Sequence, residues 1–153
     1  ETKGFVILNN KAKDVLIQIS DEKFGKIDVK LSNMKCKKSA SVVENKVYFN
    51  VEINADIILG EIENGTQNKL SKKDYGRLCA LVEKACNEMI SKTYNACIYA
   101  KSNALRIGKF IARDCPEYYK KHLSDINGGF QKAELNVNSY INLEKISDNS
   151  QLE

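Results

Sequence analysis

The stretch KVYFNVEINADI, residues 46–57, decides the fold. Val47, Phe49, Val51, Ile53, Ala55 and Ile57 fall on one side of an extended chain, and Lys46, Asn50, Glu52, Asn54 and Asp56 on the other. A period of two held over that length describes a strand in a sheet with one buried and one solvated face. Lys132–Leu143 repeats the pattern, with Ala133, Leu135, Val137, Ile141 and Leu143 set against Lys132, Glu134, Asn136, Asn138 and Asn142. Toward the N-terminus, Glu44-Asn45 reads as a turn, Met34–Val43 as a weaker strand, and Lys26–Leu31 as a strand with Ile27, Val29 and Leu31 inward. Gly4–Leu8 reads as a short strand, Asn9-Asn10-Lys11 as a turn and Asp14–Ile19 as the hairpin partner.

Between these strands the period changes to 3.6. Gly60–Lys69 is a polar loop holding the turn pair Asn64-Gly65. Ser71 is an N-cap with Asp74 at the capping-box position. From there an apolar stripe runs through Tyr75, Leu78/Cys79, Val82, Cys86, Met89/Ile90, Cys97, Ala100, Ala104, Ile107 and Ile111, with Thr93 in phase. The stripe predicts one long helix or two nearly collinear ones. About 40 helical residues span roughly 60 Å, against a radius of gyration of ~15 Å for a domain of this length. The helix therefore overhangs the sheet or bends, and Lys92–Asn95 is the expected bend. Pro116 ends it and opens a short second helix through Tyr118, Tyr119 and Leu123, which Gly128-Gly129 terminates. The expected architecture is α+β, a mostly antiparallel sheet covered on one face by a long helix plus a short second helix. Residues 1–145 form a single domain and 146–153 a polar tail.

Composition excludes more than it assigns. Of 153 residues, 42% are hydrophobic and 29% charged, a soluble globular mix with no apolar run long enough to span a bilayer. Five cysteines, an odd count without a CxxC pair, point to neither a disulfide framework nor a zinc site. Cys79 and Cys86 are two helical turns apart, so Cys79, Cys86 and Cys97 are expected to be buried, reduced and unbridged. The single His122 has no identifiable catalytic partner, and the nucleotide-binding, zinc-protease and serine-hydrolase motifs are missing. Asp21-Glu22 and Glu61-Ile62-Glu63 read as solvated loop charge. No enzyme, metal or cofactor is expected.

Charge is unevenly placed. Residues 69–121 carry 12 basic and 5 acidic side chains, net +7, while the rest of the chain is net −3. Lys73, Arg77, Lys84, Arg106, Lys109 and Arg113 lie roughly opposite the apolar stripe. Such a run is a solvated face or a surface toward an acidic partner or anionic lipid. No nucleic-acid-binding pattern accompanies it. Lys84, Arg106, Lys109 and Arg113 are the candidate partner-binding residues.

The order of features resembles a known family. An alternating strand at Val47–Ile58 leads to Leu59-Gly60-Glu61 and a long helix from Leu70. Asn103-Ala104-Leu105-Arg106-Ile107-Gly108, Pro116-Glu117-Tyr118-Tyr119, Phe130 and the alternating Glu134–Asn138 follow. This order is similar to that of the C-terminal domain of the C subunit of bacterial spore germinant receptors, the Ger(x)C lipoprotein family. Members typically carry Asp-hydrophobic-hydrophobic-Gly-aromatic-Gly at positions 103–108, where this chain has Asn103 for the Asp and Arg106 for the first Gly. Tyr119 stands where a Trp is usual. The resemblance implies a non-catalytic assembly domain required for nutrient-triggered germination, with a nutrient-binding module of the same receptor as the alternative. It implies membrane-embedded A and B subunits as partners. It also implies a full-length protein on the outer face of the spore inner membrane, held by an N-terminal lipid anchor absent from this chain. The Lys- and Asn-rich composition suits a Firmicute.

Overall fold

The structure, a computed structural model, describes residues 2–64, 70–122 and 129–144. Its centre is a four-stranded sheet in the order β1-β2-β3-β4, formed by Val15–Asp21, Gly25–Val43, Lys46–Ile62 and Glu134–Leu143. The first three strands are antiparallel. Lys26–Leu31 and Met34–Val43 are one strand, β2, interrupted by register shifts between Ile27 and Val29 and between Ser32 and Lys35. Glu44 and Asn45, both at positive φ (49° and 63°), close the β2–β3 hairpin as a two-residue loop of the type that matches strand twist.

The apolar faces fall inward as the alternation requires. Phe49, Ile53 and Ile57 are fully buried, and Val47 and Val51 are 1% exposed. They share one core with Leu78, Val82, Cys86 and Ile90, which are also fully buried. Leu135, Val137 and Met89 only partly enter it.

Among the described residues there are four α-helices, α1 (Thr2–Leu8), α2 (Lys72–Tyr99), α3 (Ile107–Asp114) and α4 (Pro116–His122), the last packed on α3. α2 lies over β4, α3 over β2, and α1 against α2. The Ser71–Asp74 capping box is present. Pro116 is the first residue of α4. The sequence signals for Gly128 and the 146–153 tail lie outside the described residues.

Several readings differ from the sequence expectation: β3 runs on through Gly60 to Ile62, Asp21 ends β1 buried against Arg77 and not as solvated loop charge, and two elements change for the reasons that follow. Gly4–Leu8 belongs to helix α1, and β1 pairs with β2 instead. A five-residue apolar run carries no period of its own, and docking decides it. A Cβ on Gly4 would fall 2.2 Å from Thr93 Oγ1, so glycine is what lets α1 touch α2. Asn10 (φ 53°) then ends α1 in a Schellman arrangement, with Asn10 N donating to Ile7 O and Lys11 N to Val6 O.

The long stripe is two helices, and the break between them follows Tyr99. Thr93 and Tyr94 are buried, and α2 continues as α-helix through Lys92–Asn95 to Tyr99. There Lys101 (φ 52°) forms a second Schellman arrangement, Lys101 N donating to Ile98 O and Ser102 N to Cys97 O. A 3-10 turn at Asn103–Leu105 and Arg106 (φ 52°) then restart the chain as α3.

The two alternating strands lie in one mostly antiparallel sheet, as expected, and within it β4 pairs with β3 in parallel, Phe49 opposite Leu135 and Ile57 opposite Leu143. The helical connection returns the chain to the starting end of β3 before β4 begins, which is how parallel neighbours are joined.

Candidate basic docking site

The second half of β2 runs past the end of β1 and, among the described residues, leaves one edge without a strand. Side chains close it. Asn10 makes a two-point bond, its Nδ2 donating to Cys36 O (3.0 Å) and its Oδ1 accepting from Cys36 N (2.9 Å). Asp114 Oδ2 accepts from Ala40 N at 2.8 Å, and Arg113 Nη2 donates to Lys38 O at 3.2 Å. An open edge invites another strand, and these contacts block it.

Next to this sealed edge, between α1 and α3, lies a depression of about 630 Å³. Lys11, Lys38, Arg106, Lys109 and Arg113 line it, and no carboxylate does among the described residues. Phe5, Ala104, Leu105 and Phe110 supply apolar walls. Arg113 holds Asp114 through two bonds of 2.5 and 2.8 Å. That contact keeps the Asp114 carboxyl below the usual range and pushes the guanidinium up. The Arg113 guanidinium and the Lys38 ammonium lie 5.0 and 5.5 Å from the Phe110 ring centre. Lys38 also donates to Leu8 O. Lys11, Arg106 and Lys109 have no ion-pair partner among the described residues. The lining therefore carries an excess of positive charge beside apolar surface.

The fold brings Arg106, Lys109 and Arg113 together and leaves Lys84 elsewhere. Lys84 lines a shallow depression on α2 beside Glu83 and Glu88. Arg77 is not a free cation either: it pairs with the buried Asp21 at 2.9 Å. Lys11, Lys38 and Phe5 were not found from the sequence. They stand on a loop, a strand and a helix far from α3 in the chain, and no local spacing joins them.

Among the described residues no group of three or more His, Cys, Asp or Glu stands together as a metal site requires, and no helix is long and apolar enough to cross a membrane. His122 lies exposed on α4 with its ring 4.7 Å from Tyr118. Of the three stripe cysteines only Cys86 is fully buried; Cys79 and Cys97, expected in the core, are half-buried, and none is bridged.

Residues 1–147 match the family described as spore germination B3/GerAC like, C-terminal. The chain belongs to that family. No curated protein matches it significantly. The fold of this GerAC-like domain is similar to that in the "Crystal Structure of the GerBC protein", with a TM-score of 0.77 over 93% of this chain and 16% sequence identity. The GerAC-like domain spans 44% of the length of that chain. The shared fold is the α+β arrangement described above.

Proposed function

We propose that this GerAC-like domain is a non-catalytic assembly domain of a germinant receptor C subunit, docking the receptor's two membrane-embedded subunits through the depression between α1 and α3. The observation that carries the reading is the convergence of Arg106, Lys109 and Arg113 with Lys11 and Lys38 around a concave, partly apolar surface. Membership of a spore-germination family supplies the setting. In this reading the full-length protein is a lipoprotein on the outer face of the spore inner membrane. The test is a strain whose C subunit lacks this domain. Loss of nutrient-triggered germination together with reduced levels of the other subunits is expected. Normal germination with normal subunit levels ends the reading.

A second reading, direct binding of a nutrient, has one observation in its favour. A polar depression of about 780 Å³ lies at the β2 bulge, where Asp14, Ser32, Asn33, Asn54, Asp56 and Asn142 meet. It is rich in amides and carboxylates, which suit a small polar ligand. A thermal-shift screen with amino acids, sugars and nucleosides tests it: a shift abolished by Asp56→Ala supports it, and no shift at millimolar concentration removes it.

A further inference from the structure

We propose that the depression between α1 and α3 takes an acidic peptide segment that presents an apolar or aromatic anchor between its carboxylates. The proposal deepens the assembly reading and rests on it only for the peptide's source, a partner subunit.

Five cations line the depression, and although Asp114 pairs with Arg113, the other four have no ion-pair partner and no carboxylate lines the site among the described residues, so the occupant is anionic. The walls are not merely charged. Phe5 is 37% exposed and lines the depression together with Leu105 and Phe110, so a single apolar side chain can be buried among the cations. The site is concave, with a volume of about 630 Å³ that suits an inserted side chain. A flat bilayer surface would instead reach basic residues on a protruding face.

Two of the cations are already ordered. Arg113 is held by Asp114 and by Lys38 O, and Lys38 by Leu8 O, and both lie over Phe110. Ordering that precedes binding lowers its entropic cost. The main chain beside the site takes no part, because side chains already occupy the exposed backbone groups of Cys36, Lys38 and Ala40. Recognition therefore runs through side chains, not by adding a strand to β2.

Arg106 gives the sharpest sign. Its φ of 52° is one that glycine adopts freely and an L side chain does not. A charged side chain stands at a position where the backbone alone would favour glycine, and that side chain faces the depression. Arg106→Gly should therefore relax the backbone and weaken the site together.

The test is fluorescence anisotropy with the full chain and a fluorescein-labelled heptapeptide carrying acidic residues on each side of a central phenylalanine. The expected result is saturable binding that weakens as salt rises. Arg106→Glu with Lys109→Glu should weaken it about tenfold or more, with Lys84→Glu at wild-type affinity. A peptide of the same charge with glycine at its centre should bind less tightly. Arg106→Gly should lose affinity while its melting temperature rises by about 3 °C. Binding unaffected by the double reversal overturns the proposal. So does binding of phosphatidylglycerol vesicles that the double reversal abolishes while the peptide fails to bind. Because the titration needs no partner subunit, it can fail while deletion of the domain still abolishes germination, so the two claims stay separable.

Discussion

Ser71 and Asp74 close the first turn of α2 by exchanging hydrogen bonds, and both were legible because a capping box is a local spacing. The Ser71 backbone N–H, then its hydroxyl, hold the Asp74 carboxyl down to about 2, with Lys23 adding at 3.1 Å. A carboxylate whose folded pKa is depressed stabilises the fold above its unfolded value near 4, and that contribution disappears as pH falls toward 2. Asp74→Asn should therefore flatten the loss of stability between about pH 4 and about pH 2. Urea midpoints at about pH 6 and about pH 3 check it, and equal falls in wild type and variant contradict it. Cys86 was legible as core in the same way. Burial, then nearby Glu83, push its thiol up to about 11. It should resist thiol reagents in the native protein, and Cys86→Ser should cost about 1–3 kcal/mol by denaturant titration. Arg106 was legible as a cation, but its left-handed backbone was not. Nothing in the residue type announces the conformation that a helix break forces on it.

At the scale of elements, periodicity decided what could be read. β3 and β4 declared their buried faces because each alternates over many residues, and the stripe of α2 did so because it repeats over seven turns. Val51, 1% exposed at the middle of β3, tests that face: Val51→Asp places an unpaired charge in the core and should abolish the folded circular-dichroism signal. The β2–β3 turn offers a change in the opposite direction. Glu44 and Asn45 both adopt positive φ, which Asn-Gly accepts more readily. Glu44→Asn with Asn45→Gly should stabilise the domain by about 1 kcal/mol, measured by thermal or chemical unfolding. What the elements did not announce was α1, the Lys101 break and the parallel sense of β4. Each is set by a tertiary contact or by the path of the connection, and no window of sequence contains that information. The lack of a glycine at Lys101 and Arg106 hid the break, because α-helix ends are usually read from glycine.

For the molecule as a whole, the charge asymmetry read from the sequence becomes a place. The basic excess of residues 69–121 is divided by the fold. Arg77 is consumed in an ion pair with Asp21, Lys84 sits among glutamates on α2, and the α3 cations join Lys11 and Lys38 from the other end of the chain. Counting charge pointed to the helical segment, and only the packing of α1 and β2 against α3 brings Lys11 and Lys38 beside Arg106, Lys109 and Arg113. The most direct test is co-purification of the membrane-embedded subunits with the full-length C subunit from spores. Wild type, Lys84→Glu and the Arg106→Glu, Lys109→Glu double variant should be compared at equal abundance of the C subunit. The account predicts that wild type and Lys84→Glu retain the partner subunits, while the double reversal loses them about tenfold. Undiminished recovery of the partners with the double reversal would contradict it.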